Sequence, residues 1–377
     1  MSKLANKSSW LHLLNAPGLG FTRISLLLEH FGDANEIIKQ NKFSPEFKIP
    51  QKAINYLSKA SDDLIKSELD WLLKPDNHIL TLDDPLYPPQ LKQISDPPIL
   101  LFVKGDPNTL LLPQLAVVGS RHASQSGLNN AQAFCFDLAQ RGLVITSGLA
   151  AGIDTQAHQG AIDAQGQTVA VMGTGINAIY PKKNQTLAKT IPYHGAVVSE
   201  FPFNTPPNAH NFPRRNRVIA GLAMGTLVVE AAQKSGTLIT ARLSIENNRP
   251  VMAIPGSIHN PLAKGCHQLI KQGAQLVESA QDILHEIAAG ISMLTDQLKT
   301  SINDIEDEVL DNQSLKPNIE LSDSQKDIYK HLDFNPIAFD DIVLLTDLSS
   351  NDVASDLLIM ELSGLVEKLP GAKYQKI

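Results

Sequence analysis

Leu115-Ala116-Val117-Val118-Gly119-Ser120-Arg121-His122-Ala123-Ser124-Gln125-Ser126-Gly127 decides the fold. Residues 115–118 are a short, β-rich apolar run of the kind that fills a buried parallel strand. Gly119-Ser120-Arg121 breaks that run, and helical spacing follows over 126–140. A strand, a tight glycine turn and a helix start together gather backbone N–H groups and about half a positive charge, which suits an anion. Arg121 projects from that turn, at the carboxyl edge where open α/β sheets bind ligands. Any α/β turn needs glycine, so the stretch by itself fits a structural turn equally well.

Outward from this stretch the strand–helix alternation is regular. Further strands fall at 143–146, 168–172, 196–199, 225–229 and 250–254, with helices at 154–165, 212–223 and 235–247 between them. A helix around 267–271 and the run 275–277 complete the set. Repeated β-α units of this length predict a doubly wound, mostly parallel sheet with right-handed crossovers, spanning 76–287. Before it, 78–83 and 98–104 read as strands joined by a proline-punctuated connector, where prolines suit edge or extended segments and not helices.

Residues 1–75 read as a helical domain. Two helices over 8–40 flank Pro17-Gly18-Leu19-Gly20, and 51–73 adds amphipathic helix. The PGLG turn fits an αα-hairpin and resembles the hairpin of helix-hairpin-helix modules, whose glycines let amides approach a phosphate. Phe21 and Thr22 stand where basic residues would help. At the other end, 288–320 reads as a flexible acidic linker carrying Asp304, Glu306, Asp307, Glu308 and Asp311. Residues 321–377 predict three helices (322–332, 339–345, 351–363) and a hairpin turning at Pro370-Gly371, a winged-helix-like arrangement. The third helix has Asp352, Asp356 and Glu361 but no Lys or Arg, so it suits an interaction or dimerisation surface better than a phosphate backbone.

Composition narrows the class. The chain has 377 residues, 43% of them hydrophobic, enough for two or three domains with a large core. No apolar run reaches the roughly 18 residues that cross a bilayer, and the N-terminus has no secretory h-region; a cytoplasmic location is expected. Cys135 and Cys266 have no CxxC partner and read as buried thiols, and the histidines lack metal-binding spacing. The net charge of −7 conceals an asymmetry. Residues 120–220 hold eight Lys/Arg against four Asp/Glu, whereas 288–377 hold seven against seventeen. The centre is basic and the tail acidic.

The strand-end turns Gly119-Ser120-Arg121, 147–152, Gly173-Thr174-Gly175 and Ser199-Glu200 fall on one edge of a parallel sheet, with small residues leaving it open to a ligand. Neither GxGxxG nor GxxxxGK[ST] is present, so triphosphate hydrolysis is not expected. Arg214, Arg215 and Arg217 form the densest positive cluster, in a first turn started by Pro213. Arg214 and Arg217 share a face at i, i+3, and one arginine pairing with Glu200 or Glu230 is the structural alternative. With Arg121, Lys182 and Lys183 they form a basic groove too long for one phosphate. That groove suits a single strand's backbone, with Phe201, Phe203 or Phe212 offered for base stacking.

The ordered runs GSRHASQSG, SGLAAGIDTQAHQGAI, IYPKKN, HNFPRRNRVIAGL, VVEAAQKSGTLITA and VMAIPGS closely resemble the DNA-processing protein family DprA, also called Smf. The resemblance covers about 80–287, and the flanking domains match the family layout more loosely. It implies an extended Rossmann-like domain with an N-terminal helical (helix-hairpin-helix or SAM-like) domain and a C-terminal winged-helix-like domain. It further implies a cofactor-free, non-catalytic homodimer that binds single-stranded DNA, protects incoming DNA in natural transformation, and loads RecA onto strands coated by single-strand-binding protein. Carried over by motif, the DNA-binding residues are Gly119, Ser120, Arg121, Lys182, Arg215 and Arg217, with Lys183, Arg214 and Phe212 beside them. The segment 265–276 resembles the self-association region, with His267, Leu269, Ile270 and Leu276 as its apolar patch; core packing is the alternative. The rival reading is a phosphoribohydrolase acting on nucleoside monophosphates, which needs a PGGxGTxxE-type loop. Here Glu230 precedes Ser235-Gly236-Thr237, and no acid follows until Glu246.

Overall fold

The computed structural model describes residues 2–40, 42–312, 322–333, 336–346, 348–362, 365–369 and 373–376. They form two compact units, Met1–Thr300 and Ser301–Ile377.

The first unit is built on nine strands: β1 (Asn77–Thr81), β2 (Leu100–Gly105), β3 (Gln114–Val118), β4 (Val144–Ser147), β5 (Thr168–Val171), β6 (Gly195–Ser199), β7 (Gly225–Val228), β8 (Val251–Ala253) and β9 (Gln275–Leu276). They run in the order β1-β2-β6-β5-β4-β3-β7-β8-β9. From β6 to β9 every neighbour is parallel, while β1 and β2 extend the sheet antiparallel. Every residue of β3 is buried, which explains its unbroken apolar run. Leu115 and Val117 enter one core layer with the helices Gln125–Gln140 and Ile153–Asp163. Ala116 and Val118 enter the other, with the helix Asn211–Leu222.

The N-terminal helices share a third core layer with the sheet, in which Trp10, Leu13, Ile24 and Trp71 lie with Phe102 and Val197. Three expectations need correction here. Residues 8–40 hold three helices, not two: Ser2–Asn15, Phe21–Phe31 and Ala34–Ile38. Gly32 ends the second at a φ of 87°, and the Asp33 carboxylate caps the third by accepting from the Asn35 and Glu36 amides. Residues 51–73 are interrupted by a 3₁₀ turn at Asp62–Ile65. The proline connector contains a helical turn, Pro89–Lys92, because proline at a first helical position loses no hydrogen bond.

The segment expected to be a linker lies largely in one helix, Ala280–Asn312. Ile283, Ile287 and Leu294 are buried along it, at spacings of four and seven, so its first turns are held by core packing. In the second unit, helices Asp323–His331, Phe339–Leu345 and Ser350–Leu362 surround a small core of Ile328, Ile342, Val353, Leu357 and Tyr374. The Ser349 hydroxyl caps the third helix by accepting from the Asp352 amide. Strands β11 (Val366–Leu369) and β12 (Lys373–Lys376) pair antiparallel as the expected hairpin, and β10 (Ile337–Ala338) adds to β12. The Pro370-Gly371 turn lies outside the described residues.

Candidate functional site

The chain leaves β3 toward β4, β5 and β6, then returns to lay β7 against the opposite side of β3. Loops at such a switch point diverge and leave a crevice at the carboxyl ends of the strands. Here the crevice is a cavity of about 690 Å³. Gly119, Ser120 and Arg121 line it after β3, Ala150 and Asp154 after β4, and Tyr180 after β5. Phe212, Arg215 and Asn216 of the helix Asn211–Leu222 face it, with Ser235, Gly236 and Thr237 after β7.

Two amides of the turn after β3 are taken up within the protein, and those of Gly119 and Arg121 meet no acceptor among the described residues. The Ser120 N–H donates to the Glu230 carbonyl (2.8 Å), and the Ser120 hydroxyl accepts from the His122 N–H (3.1 Å). The helix Gln125–Gln140 is capped internally. The Ser124 hydroxyl accepts from the Gly127 N–H (3.1 Å), while the Ser124 N–H and hydroxyl donate to the Glu230 carboxylate (2.9 and 2.6 Å). What the turn does present is Arg121 itself. Its side chain is exposed, its guanidinium lies 5.8 Å from the centre of the Phe212 ring, and it has no carboxylate partner among the described residues.

Phe212 is half-buried, and the ring of Tyr180 lies 5.6 Å from it at 46°. Tyr180 is 46% exposed, so the two rings and Arg121 form an accessible aromatic and cationic platform. Tyr180 was not among the expected site residues; its signal was an aromatic directly before Pro181-Lys182. Phe201 and Phe203 are corrections. Phe203 is buried against Trp71 and Phe102, and Phe201 is buried with Arg214 5.9 Å above its ring. Neither offers a free face.

The three arginines divide their work. Arg214 and Arg217 share a face, as i, i+3 spacing requires, and both turn to the buried Glu200. Arg217 pairs with Glu200 and lies 3.2 Å from Asp96, whereas Arg214 stands 3.9 Å from Glu200 with its side chain 57% exposed. The alternative of an arginine pairing with Glu200 therefore holds for Arg217. Arg215 points inward and is 4% exposed; its Nη1 donates to the carbonyls of Gly148 (2.8 Å) and Val171. Two of the strand-end glycines serve this arrangement. A Cβ on Gly148 would lie 2.5 Å from the Arg215 guanidinium, and one on Gly173 would lie 2.6 Å from the Phe212 ring. Burial lowers Arg215 to a pKa of about 10, so it stays charged at neutral pH.

Beneath Arg215, Asp154 accepts from the amides of Gly148 (3.1 Å) and Ala150 (3.2 Å). Burial pushes its carboxyl upward, against the pull of Arg215 and those two amides. His158 is fully buried and contacts the Thr168 hydroxyl through Nδ1 (2.7 Å). Because that hydroxyl already donates to the Ile145 carbonyl, Nδ1 is the protonated nitrogen and Nε2 is left without a partner. Burial, reinforced by Arg215, lowers the His158 pKa to about 3. Protons therefore bind the unfolded chain first, and His158 stabilises the fold above pH ~6.5 but progressively less down to pH ~3. Urea unfolding at several pH values should show His158→Gln losing less stability than wild type between those limits; parallel losses would contradict this.

Lys182 and Lys183 are exposed in the turn Lys182–Asn184 and do not line the cavity. Asn184 anchors that turn, donating to the carbonyls of Leu149 (2.8 Å) and Ala150 (3.1 Å). Of the expected self-association patch, Leu269 is spent in the core at 6% exposure, Ile270 packs partly against it, and His267 contacts the Gly256 carbonyl (3.0 Å). Leu276, on the terminal strand β9, is 42% exposed. Among the described residues no helix is long and apolar enough to cross a membrane.

Comparison with known proteins matches the chain to one family and its fold. The family model for DNA recombination-mediator protein A matches residues 78–288, and that for the DprA winged helix domain matches 313–372. Protein Smf of Escherichia coli is 42% identical over 310 residues, covering 81% of this chain and 79% of that one. DNA processing protein DprA of Streptococcus pneumoniae is 48% identical over 205 residues, 54% of this chain and 72% of that one. The X-ray structure of DprA from S. pneumoniae superposes with a TM-score of 0.66 at 36% identity, over 74% of this chain and 97% of that one. A structure of Helicobacter pylori DprA, described for its single-stranded DNA binding mode, gives 0.51 at 26% identity over 56% and 97%. A switch-point site on an extended Rossmann-like sheet, a winged-helix unit and these matches together place the chain in the DprA/Smf family of DNA recombination-mediator proteins.

Proposed function

We propose that this chain binds single-stranded DNA along the carboxyl edge of its sheet and acts as a non-catalytic mediator. In that role it protects incoming strands and hands them to RecA in place of single-strand-binding protein, as a cytoplasmic homodimer. The observation that carries the reading is Arg121, an exposed cation with no carboxylate partner among the described residues, beside the Phe212–Tyr180 ring pair. A phosphate neutralises the first and a splayed base stacks on the second, a combination available only where bases are not paired. The H. pylori relative's single-strand binding supports it. For self-association, the terminal strand β9 with the exposed Leu276 offers an open sheet edge, with His267 and Ile270 on the preceding helix Lys264–Lys271.

The hydrolase alternative needs a free carboxylate at the crevice. Glu230 is instead held by Ser124 and by Asn260 (3.1 Å), and Asp154 by two amides. Competition decides between them. Labelled single strand bound to the chain should be displaced by unlabelled single strand of any sequence and poorly by duplex of equal length. Equal displacement by duplex would refute the single-strand reading, and free base released from nucleoside monophosphates would replace it with the hydrolase.

A further inference from the structure

Arg214 does not line the switch-point cavity. It lines a second cleft of about 600 Å³, whose opposite wall is the Pro17-Gly18-Leu19-Gly20 hairpin and the start of the helix Phe21–Phe31. Hairpin and sheet belong to one compact unit.

Three features of this cleft call for a ligand. The first is charge. Arg23, Arg214 and Arg217 line it against Glu200 and Asp96. Three cations face two carboxylates, an excess of one positive charge; Arg217 pairs with both acids, and Arg214, 3.9 Å from Glu200, is the exposed cation of the wall.

The second is the hairpin backbone. Arg23 fixes it, donating from Nη1 to the Gly18 carbonyl and from Nε to the Lys48 carbonyl (both 3.0 Å). Gly20 is the N-cap of the following helix and supplies no capping group, and the N–H groups of Gly20, Phe21 and Thr22 meet no acceptor among the described residues. Folding does not require glycine there. Its φ of −94° suits any residue, and a Cβ would meet nothing within 4 Å. Ser or Asp would cap the helix better. The missing side chain leaves these first-turn amides uncovered, and Gly20 and Phe21 line the cleft.

The third is Glu200, which lines the cleft with its side chain 4% exposed and whose Oε1, buried behind the wall, receives no hydrogen bond among the described residues. A bare phosphate leaves that acceptor unserved. A nucleobase amino group, the usual partner of a carboxylate in base contacts, supplies the donor.

We propose that this cleft takes a further nucleotide of the bound single strand, its phosphate on the hairpin amides and Arg214 and its base turned toward Glu200. The inference rests on the single-strand reading above, and it makes the helical hairpin part of the DNA path.

Gly20→Asp separates fold from function, because the new carboxylate caps the helix and occupies the amides. Full-length wild type, Gly20→Asp, Gly20→Ser, Arg214→Gln and Arg121→Ala are titrated with labelled oligonucleotides of about 6 and about 20 nucleotides, and each is melted. Gly20→Asp should melt at or above wild type and bind the short strand normally. It should bind the long strand about fivefold more weakly or worse, with Arg214→Gln alike and Gly20→Ser closer to wild type. If wild type binds both strands and Arg121→Ala weakens both, while Gly20→Asp and Arg214→Gln match wild type on both, the second cleft is not on the path and the single-strand reading stands. Equal weakening of short and long strands by Gly20→Asp also overturns the inference. No binding by wild type removes both readings together.

Discussion

Arg215→Ala should cost about 3–5 kcal/mol of stability, the largest loss of any single arginine in the chain. Its guanidinium is buried at the centre of the sheet's carboxyl edge and donates to the carbonyls of Gly148 and Val171. Truncation leaves those carbonyls without a donor and Asp154 without the positive charge that opposes its burial. It also opens a void, since Gly148 is glycine to make room for that group. Arg215→Lys should recover only part of the loss, because an ammonium on an unbranched stem cannot reproduce the planar fork. Urea midpoints measure this directly, and an Arg215→Ala midpoint within about 1 kcal/mol of wild type would contradict the structural role. Any fall in DNA binding by Arg215→Ala must therefore be read beside its stability.

Arg121→Ala should do the reverse. The side chain is exposed and has no carboxylate partner among the described residues, so the melting temperature should stay close to wild type. Single-strand affinity should fall about tenfold or more if the proposed path is right, because Arg121 would then give up a phosphate contact as well as the cation beside Phe212. The loss should be alike for every base composition, since a phosphate carries no sequence. Adding Lys182→Ala and Lys183→Ala should weaken binding further without unfolding the turn, which Asn184 anchors. Loss confined to one homopolymer would place Arg121 on a base edge.

The two variants show what the sequence could and could not disclose. The parallel sheet was legible because β3 to β8 alternate with helices at βαβ spacing, and Leu115 to Val118 are apolar without interruption because both faces are buried. The 3.6-residue period likewise separated Arg214 and Arg217 from Arg215, but it could not tell which face was inside. A buried arginine looks like an exposed one until its acceptors are known, and those came from Gly148 and Val171, 67 and 44 positions away. Two of the strand-end glycines have a packing role for the same reason: Gly148 makes room for Arg215 and Gly173 for Phe212. The acidic run after Leu298 concealed a helix because acidic composition reads as linker, whereas Ile283, Ile287 and Leu294 tie the start of that helix to the core. Tyr180 was missed because a lone exposed tyrosine has no period; only the approach of Phe212 reveals it.

The central claim is that a single strand's phosphates lie on the carboxyl edge of the sheet at Arg121. The most direct measurement is the salt dependence of single-strand binding by wild type and Arg121→Ala. Log affinity plotted against log salt has a slope of about −0.7 for each phosphate neutralised on a single strand. Arg121→Ala should give a shallower slope, by about one phosphate, with the fold intact. Identical slopes and affinities for the two proteins would place the strand elsewhere on the molecule and contradict the account.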